Sequence, residues 1–247
     1  MNKEINTQQD LSKKETARLI IDFFHRTIMH HAMWFSEVQN KYGQEKALDL
    51  MNEVFAKSYS IQMKKLSQVL GFEMEDDIPK PLLEFPDKKL QELKEKAAAN
   101  WLANDGVWFQ SVEFSRNMHE AKLCNDAAWG QFSPFEAWSI KRFLKLPENP
   151  GLEGLKKALQ FRLYATINQQ SISNETENSF VFEMNNCRVQ SARKRKGLDD
   201  YPCKSAGIIE YTSFAKAIDA RIKTECIACP PDAHPDEWFC AWKFYID

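Results

Sequence analysis

Residues 226–242 read CIACPPDAHPDEWFCAW, which places three cysteines, a histidine, three prolines and two tryptophans in seventeen positions. The fold of the C-terminal part follows from this stretch. In EWFCAWKFYI the residues Trp238, Cys240, Trp242, Phe244 and Ile246 alternate, the period of a strand that sets one face against a core. Upstream, RIKTECIA reads as a second strand, so the prolines and His234 form the tip of an antiparallel hairpin. A hairpin centred near Ala233 sets Cys226 opposite Cys240, at the Cβ separation of about 5 Å typical of directly paired residues.

Further upstream, FVFEMNNCRVQ from Phe180 reads as another strand and carries Cys187. Residues 203–218 read as a helix with Ile208, Tyr211, Phe214, Ala215 and Ile218 on its inner face. Cys203 opens that helix, where the positive end of the macrodipole favours a thiolate, against the opposing charges of Asp199 and Asp200. The C-terminal third is therefore a small antiparallel sheet crossed by a helix.

The first part of the chain is helical. Leu19, Ile20, Phe23, Phe24, Thr27, Trp34 and Val38 recur at steps of three and four, and a second such stretch runs from residue 45 to residue 70. Displacing the sequence by 74 positions lays MWFSEV, from Met33, on VWFQSV, from Val107. The same offset pairs Ala47 with Ala121, Phe55 with Trp129, Leu66 with Ile140 and Leu70 with Leu144 without a gap. An ungapped echo that keeps its apolar phase predicts two copies of a helical hairpin, about 30–72 and 104–146. The expected class is α+β: a duplicated helical region over 11–146, a break at LPENPGLEGL (146–155), and a cysteine-rich ligand-binding unit over 155–247.

With 247 residues the chain can bury a substantial core. Thirty-three basic and 35 acidic residues leave a net charge of −2, so no global field draws the protein to nucleic acid or to an anionic membrane surface. The polar start, MNKEINTQQD, lacks the apolar core of a signal peptide, and no run approaches a membrane span, so the expected place is the cytoplasm. Thiols there stay reduced, which sets metal binding or catalysis beside simple burial as the use of six cysteines.

Five of the six, Cys187, Cys203, Cys226, Cys229 and Cys240, fall in the last 61 residues. Soft thiolates converging from two strands and a helix start suit zinc or an iron–sulfur cluster, with His234 as a substitute ligand. The first expectation is thus a metal-binding protein that takes a small, partly apolar molecule in a pocket lined by Trp34, Trp108 and Trp238. His31 and Asp105, which correspond across the offset, would give that pocket a polar lining.

A different class is a thiol hydrolase of a carbon–nitrogen bond. Cys203 or Cys240 attacks, His234 moves protons, and Arg193 and Arg195 of the basic run hold a substrate carboxylate. A third is a non-enzymatic sensor or partner-binding module whose cysteines are small core residues. None of these features reads out the oligomeric state.

The order of strand with Cys187, helix opening on Cys203, strand with Cys226 and final strand Cys240-Ala-Trp242-Lys-Phe244 resembles the small-molecule-binding domains of the 4-vinyl reductase type. It is also similar to L-2-amino-thiazoline-4-carboxylate hydrolase-like proteins, with PPDAHPDEW in place of their glycine-rich turn. The Trp-Phe-x-x-Val helices resemble an uncharacterised family of bacterial cytosolic proteins. These resemblances imply an α+β ligand-binding unit with a functional cysteine cluster.

Overall fold

A computed structural model of the chain describes residues 6–195, 197 and 200–247, so Lys196 of the basic run and Asp199 lie outside the described residues. The chain divides between Leu83 and Glu84 into two compact units. Residues 146–155, read above as the boundary, lie inside the second. No helix among the described residues is long and apolar enough to cross a membrane.

The first unit is a hairpin of α1 (Lys13–Tyr42) and α2 (Gln44–Leu70), followed by a ribbon of β1 (Met74–Glu75) and β2 (Ile78–Pro79) and the single turn α3 (Lys80–Leu83). Ser12 starts α1 with a capping box: its hydroxyl accepts from the Glu15 amide, while the Glu15 carboxylate accepts from the Ser12 amide at 2.8 Å. Between the two helices Gly43 takes φ 83°, a left-handed value that costs glycine least. Only Ala47 and Leu48 are buried along both helices, and Ile20, Phe23, Phe24 and Trp34 are exposed.

The second unit opens with a like hairpin, α4 (Asp87–Ser115) and α5 (Met118–Leu144). Moved by 74 positions, α1 becomes 87–116 and α2 becomes 118–144, so each helix of the first hairpin falls on its counterpart to within one residue. Ala47 and Ala121, paired by the same offset, are each 1% exposed where their helices meet the preceding one.

Two short helices, α6 (Gly151–Gln160) and α7 (Leu163–Ile167), follow. The sheet then forms from β3 (Gln169–Ser173), β4 (Ser179–Asn186), β5 (Lys223–Ala228) and β6 (Cys240–Tyr245), antiparallel throughout in the order β3-β4-β6-β5. β3 is the strand missing from the sequence reading, since its polar QQSIS at the sheet edge shows no alternation. The strand from Phe180 stops at Asn186, and Arg188–Arg195 form a helix, α8, rather than extended chain.

On the sheet's inner face Phe180, Phe182 and Met184 of β4 stand opposite Phe244, Trp242 and Cys240 of β6. Helix α9 (Lys204–Ile218) covers this face with Tyr211, Phe214 and Ile218 and also lies against α5. Ile208, expected on the inner face of α9, is 45% exposed. Gly207 takes that place, with Glu210 one turn on, and α9 can therefore approach the sheet more closely than a branched side chain would permit.

The β5–β6 register also departs from the simple hairpin. Cys226 pairs with Trp242 rather than with Cys240, and a bulge at Ile227 then brings Ala228 opposite Ala241. The neighbour of Cys240 is Met184 of β4. One extra residue in a strand re-aims every side chain beyond it, and the turn after β5 is longer and less symmetrical than a centre at Ala233 requires.

Candidate functional site

In the second unit a cavity of about 340 Å³ lies among α4, α5, α8, α9 and the Cys240 end of the sheet. Phe109 of α4, Trp129 of α5, Tyr164 of α7 and Tyr201 give it aromatic walls, while Asp105, Glu113 and Glu210 bring carboxylates to it. Four cysteines line the same space: Cys240 in β6, Cys203 capping α9, Cys187 between β4 and α8, and Cys229 in the turn after β5.

Cys203 is the N-cap of α9, and its carbonyl accepts from Gly207 N at 2.8 Å. Its Sγ lies 3.4 Å from Cys229 Sγ and 3.5 Å from Gln190 Nε2, which donates to it. Gln190 is 1% exposed and is fixed by two 2.8 Å bonds to the backbone of Tyr201, one to the carbonyl and one from the amide. The hydrogen bond from Cys229 lowers the Cys203 thiol below its usual range, against burial, and Gln190 adds to the lowering. The same contact, with that of Cys240 and with burial, raises Cys229, so Cys203 is the thiol of the pair that ionises more readily.

The turn that carries Cys229 is pinned to the start of α9. Lys204 N donates to the Pro230 carbonyl at 2.9 Å, and Lys204 Nζ meets Asp232 at 2.8 Å. Asp232 in turn accepts from the Cys229 amide at 3.3 Å. Burial pushes Cys187 up to about 12 and Cys226 up to about 11, leaving both as protonated thiols at neutral pH.

Below the cavity Arg162, 2% exposed, joins two buried carboxylates. Its Nε donates to Glu136 Oε2 at 2.8 Å, and Nη1 lies 2.7 Å from Glu210 Oε1; Glu136 also accepts from Leu163 N. Burial raises the Glu210 carboxyl to about 7, an effect that Arg162 only partly opposes. Burial likewise raises Asp105.

Of the expected metal ligands, Cys187, Cys203, Cys229 and Cys240 line the cavity, while Cys226 and His234 do not. Cys226 pairs with Trp242 in the sheet, and both ring nitrogens of His234 are hydrogen-bonded, Nε2 with Asp200 at 3.0 Å and Nδ1 with the Pro235 carbonyl at 2.8 Å. Among the described residues no three Cys, His, Asp or Glu side chains meet in a geometry that could hold a metal ion. The three tryptophans do not frame the cavity either: Trp34 is 63% and Trp108 62% exposed, and Trp238 sits beside the His234 ring. Phe109 lines this cavity, while Trp34, Phe35 and His31 line a groove between α1 and α2 of the first unit.

Asp105 and Arg193 do line the cavity, whereas Arg195 is exposed at the end of α8. Gln190, Glu210, Arg162 and Glu136 were missed. Glu210 alone carried a signal, a charge seven residues beyond Cys203 on the apolar stripe of a helix.

A family model matches the chain in two segments, residues 8–86 and residues 84–246, and describes a family of unknown function (DUF6125). The chain belongs to the DUF6125 family. No curated protein and no solved structure matches it. The uncharacterised family is thus found, while nothing found supports the likeness of this DUF6125 chain to 4-vinyl reductase-type domains or thiazoline-carboxylate hydrolases. Both matched segments of the DUF6125 chain contain one helical hairpin, and the second contains the whole cavity.

Proposed function

We propose that the second unit binds a small, partly apolar molecule in its cavity and reacts with it through the Cys203 thiolate. The observation that carries this reading is the setting of one sulfur. It stands at the start of a fifteen-residue helix, accepts a hydrogen bond from Gln190, lies 3.4 Å from Cys229 Sγ, and faces an aromatic-walled space. Thiolate is the nucleophilic form of cysteine, and apolar walls with a few fixed polar groups are what small-molecule sites offer. The reaction class is attack by sulfur on an electrophilic centre of the bound molecule. His234 does not line this cavity, and its ring is held by Asp200 and the Pro235 carbonyl.

The test is alkylation of the anaerobically purified chain with a limiting electrophile from pH 5 to 10, with peptide mapping and metal analysis of the same sample. Cys203 is expected to react first and at the lowest pH. Uniformly slow labelling of all six thiols overturns the reading. So does stoichiometric zinc, or iron with acid-labile sulfide, that is lost from the Cys203→Ser protein, and that result replaces the thiolate with a metal centre.

A further inference from the structure

We infer that Cys203 and Cys229 form a redox-active dithiol that reduces a hydroperoxide, an inference that rests on the reading of Cys203 as the reacting sulfur. The two Sγ atoms are 3.4 Å apart. A disulfide needs about 2.05 Å, so the bond forms with an approach of about 1.4 Å, within the reach of side-chain rotation. Neither residue lies inside a regular element: Cys203 caps a helix and Cys229 begins a turn, positions that can shift without breaking a ladder or a helix. Their settings divide the roles: Cys203, at the start of α9 and beside the donating Gln190 amide, is the attacking sulfur, and Cys229, 1% exposed behind it, the resolving one.

The cavity wall suits the oxygen chemistry. Trp242 is 1% exposed, and its Nε1 has no hydrogen-bond partner among the described residues; the hydroxyl of Tyr201, another wall residue, is likewise unpartnered. Two buried donors without acceptors call for an oxygen on the ligand. A hydroperoxide supplies one that becomes an anion during the reaction, while the aromatic walls take its carbon skeleton.

The Cys203 thiolate attacks the terminal peroxide oxygen and the O–O bond breaks, oxidising the sulfur by two electrons to a sulfenic acid. The departing alkoxide gains a proton and leaves as the alcohol. Cys229 then loses its proton and attacks the Cys203 sulfur; an S–S bond forms, the S–O bond breaks, and the hydroxide takes that proton as water. Two thiols and one hydroperoxide thus give one disulfide, one alcohol and one water. A small dithiol such as dithiothreitol, added as the reductant, restores the pair.

The experiment is addition of cumene hydroperoxide to the reduced full-length chain, read by intact mass, peptide mapping and peroxide consumption. Expected are a loss of about 2 Da, a Cys203–Cys229 linked peptide and turnover with dithiothreitol. Cys229→Ser is expected to stop at a sulfenic acid trapped by dimedone on Cys203, and Cys124→Ser, at an exposed thiol outside the cavity, to behave as the parent. A disulfide mapped to Cys229 and Cys240, or consumption unchanged in Cys203→Ser, overturns the inference. If Cys203 alkylates rapidly while no disulfide forms, the dithiol inference falls and the reactive-thiol reading stands; a Cys203 inert to both reagents removes both.

Discussion

A methyl group built on Gly207 would lie 2.6 Å from Cζ2 of the Trp242 indole, 3.0 Å from its Cη2 and 3.7 Å from Cys229 Sγ. The indole is buried and stacked on Tyr211, so it cannot swing aside. This contact fixes how closely α9 sits on the sheet and so where Cys203 meets Cys229. Gly207→Ala should therefore cost about 1–3 kcal/mol, the range for overpacking a filled core, against a small gain in helix propensity. Urea unfolding checks it, and the same variant should label more slowly at Cys203, because the helix start has moved from Cys229. A stability equal to the parent's would mean that the helix and sheet are not in this contact.

The pairing of sulfurs makes a statement about pH. Cys203 lies below the ordinary thiol range chiefly because Cys229 donates to it. Cys229→Ala removes that donor and leaves burial, which raises the thiol. The midpoint of Cys203 alkylation should therefore move to higher pH. Labelling near neutrality should fall about tenfold for every pH unit by which the midpoint rises, since rate follows the thiolate fraction. A midpoint that stays in place would assign the lowering to Gln190 or the helix start instead.

Arg162 holds two carboxylates that would otherwise be buried without a counter-charge. Arg162→Met keeps much of the volume and removes the charge. Stranding Glu136 and Glu210 should cost about 3–5 kcal/mol, the usual cost of breaking a buried pair from one side. The triple change that also sets Glu136 and Glu210 to glutamine should recover a large part of it. Chemical denaturation of the single and triple variants measures the difference.

These elements show how far the sequence could be read. Helices α1, α2, α4 and α5 were legible because each keeps an apolar stripe at the helical period between clear stops, and the offset of 74 gave the second hairpin from the first. The sheet and α9 were legible from alternation in β6 and from a cysteine at a helix start. The facing of Cys226 and Cys240 was not: the strands pair Cys226 with Trp242, two residues from the register of a symmetrical hairpin, and the shape of the long turn that sets this leaves no mark in composition. Nor was the Glu136–Arg162–Glu210 group: its members are 26 and 48 positions apart and only the packing of α5, α9 and the start of α7 brings them together. Of the cysteines expected at the site, Cys187, Cys203, Cys229 and Cys240 do share one cavity, which chain order suggested and distance along the chain could not establish.

Glu210 gives the protein a pH-dependent stability of a definite sign. Its carboxyl is raised from 4.5 to about 7 in the fold. Between those values the folded state holds a proton that the unfolded chain has released, so stability falls as pH rises from about 4.5 to 7, and the effect is complete above the folded value. At 1.36 kcal/mol per pH unit the upper bound is about 3 kcal/mol. Glu210→Gln, which cannot ionise, should flatten this slope in urea titrations at pH 5, 6 and 7. An unchanged slope would show that another group titrates there.

The two units should differ sharply when separated. Residues 84–247 contain the sheet, α9 and nearly all of the buried core, so this segment should unfold in one cooperative transition and keep the Cys203 reactivity. Residues 1–83 bury only Ala47 and Leu48 along two helices of 30 and 27 residues and leave Phe23, Phe24 and Trp34 exposed. Helical propensity alone does not hold such a hairpin in water. We propose that the matching helix bounds record a duplication in which the first copy kept the hairpin and lost the cover that α9 gives α5. On that account residues 1–83 alone should show shallow, non-cooperative melting by circular dichroism, or self-associate in light scattering. A sharp monomeric transition would mean that the first hairpin holds a core of its own and would count against that history.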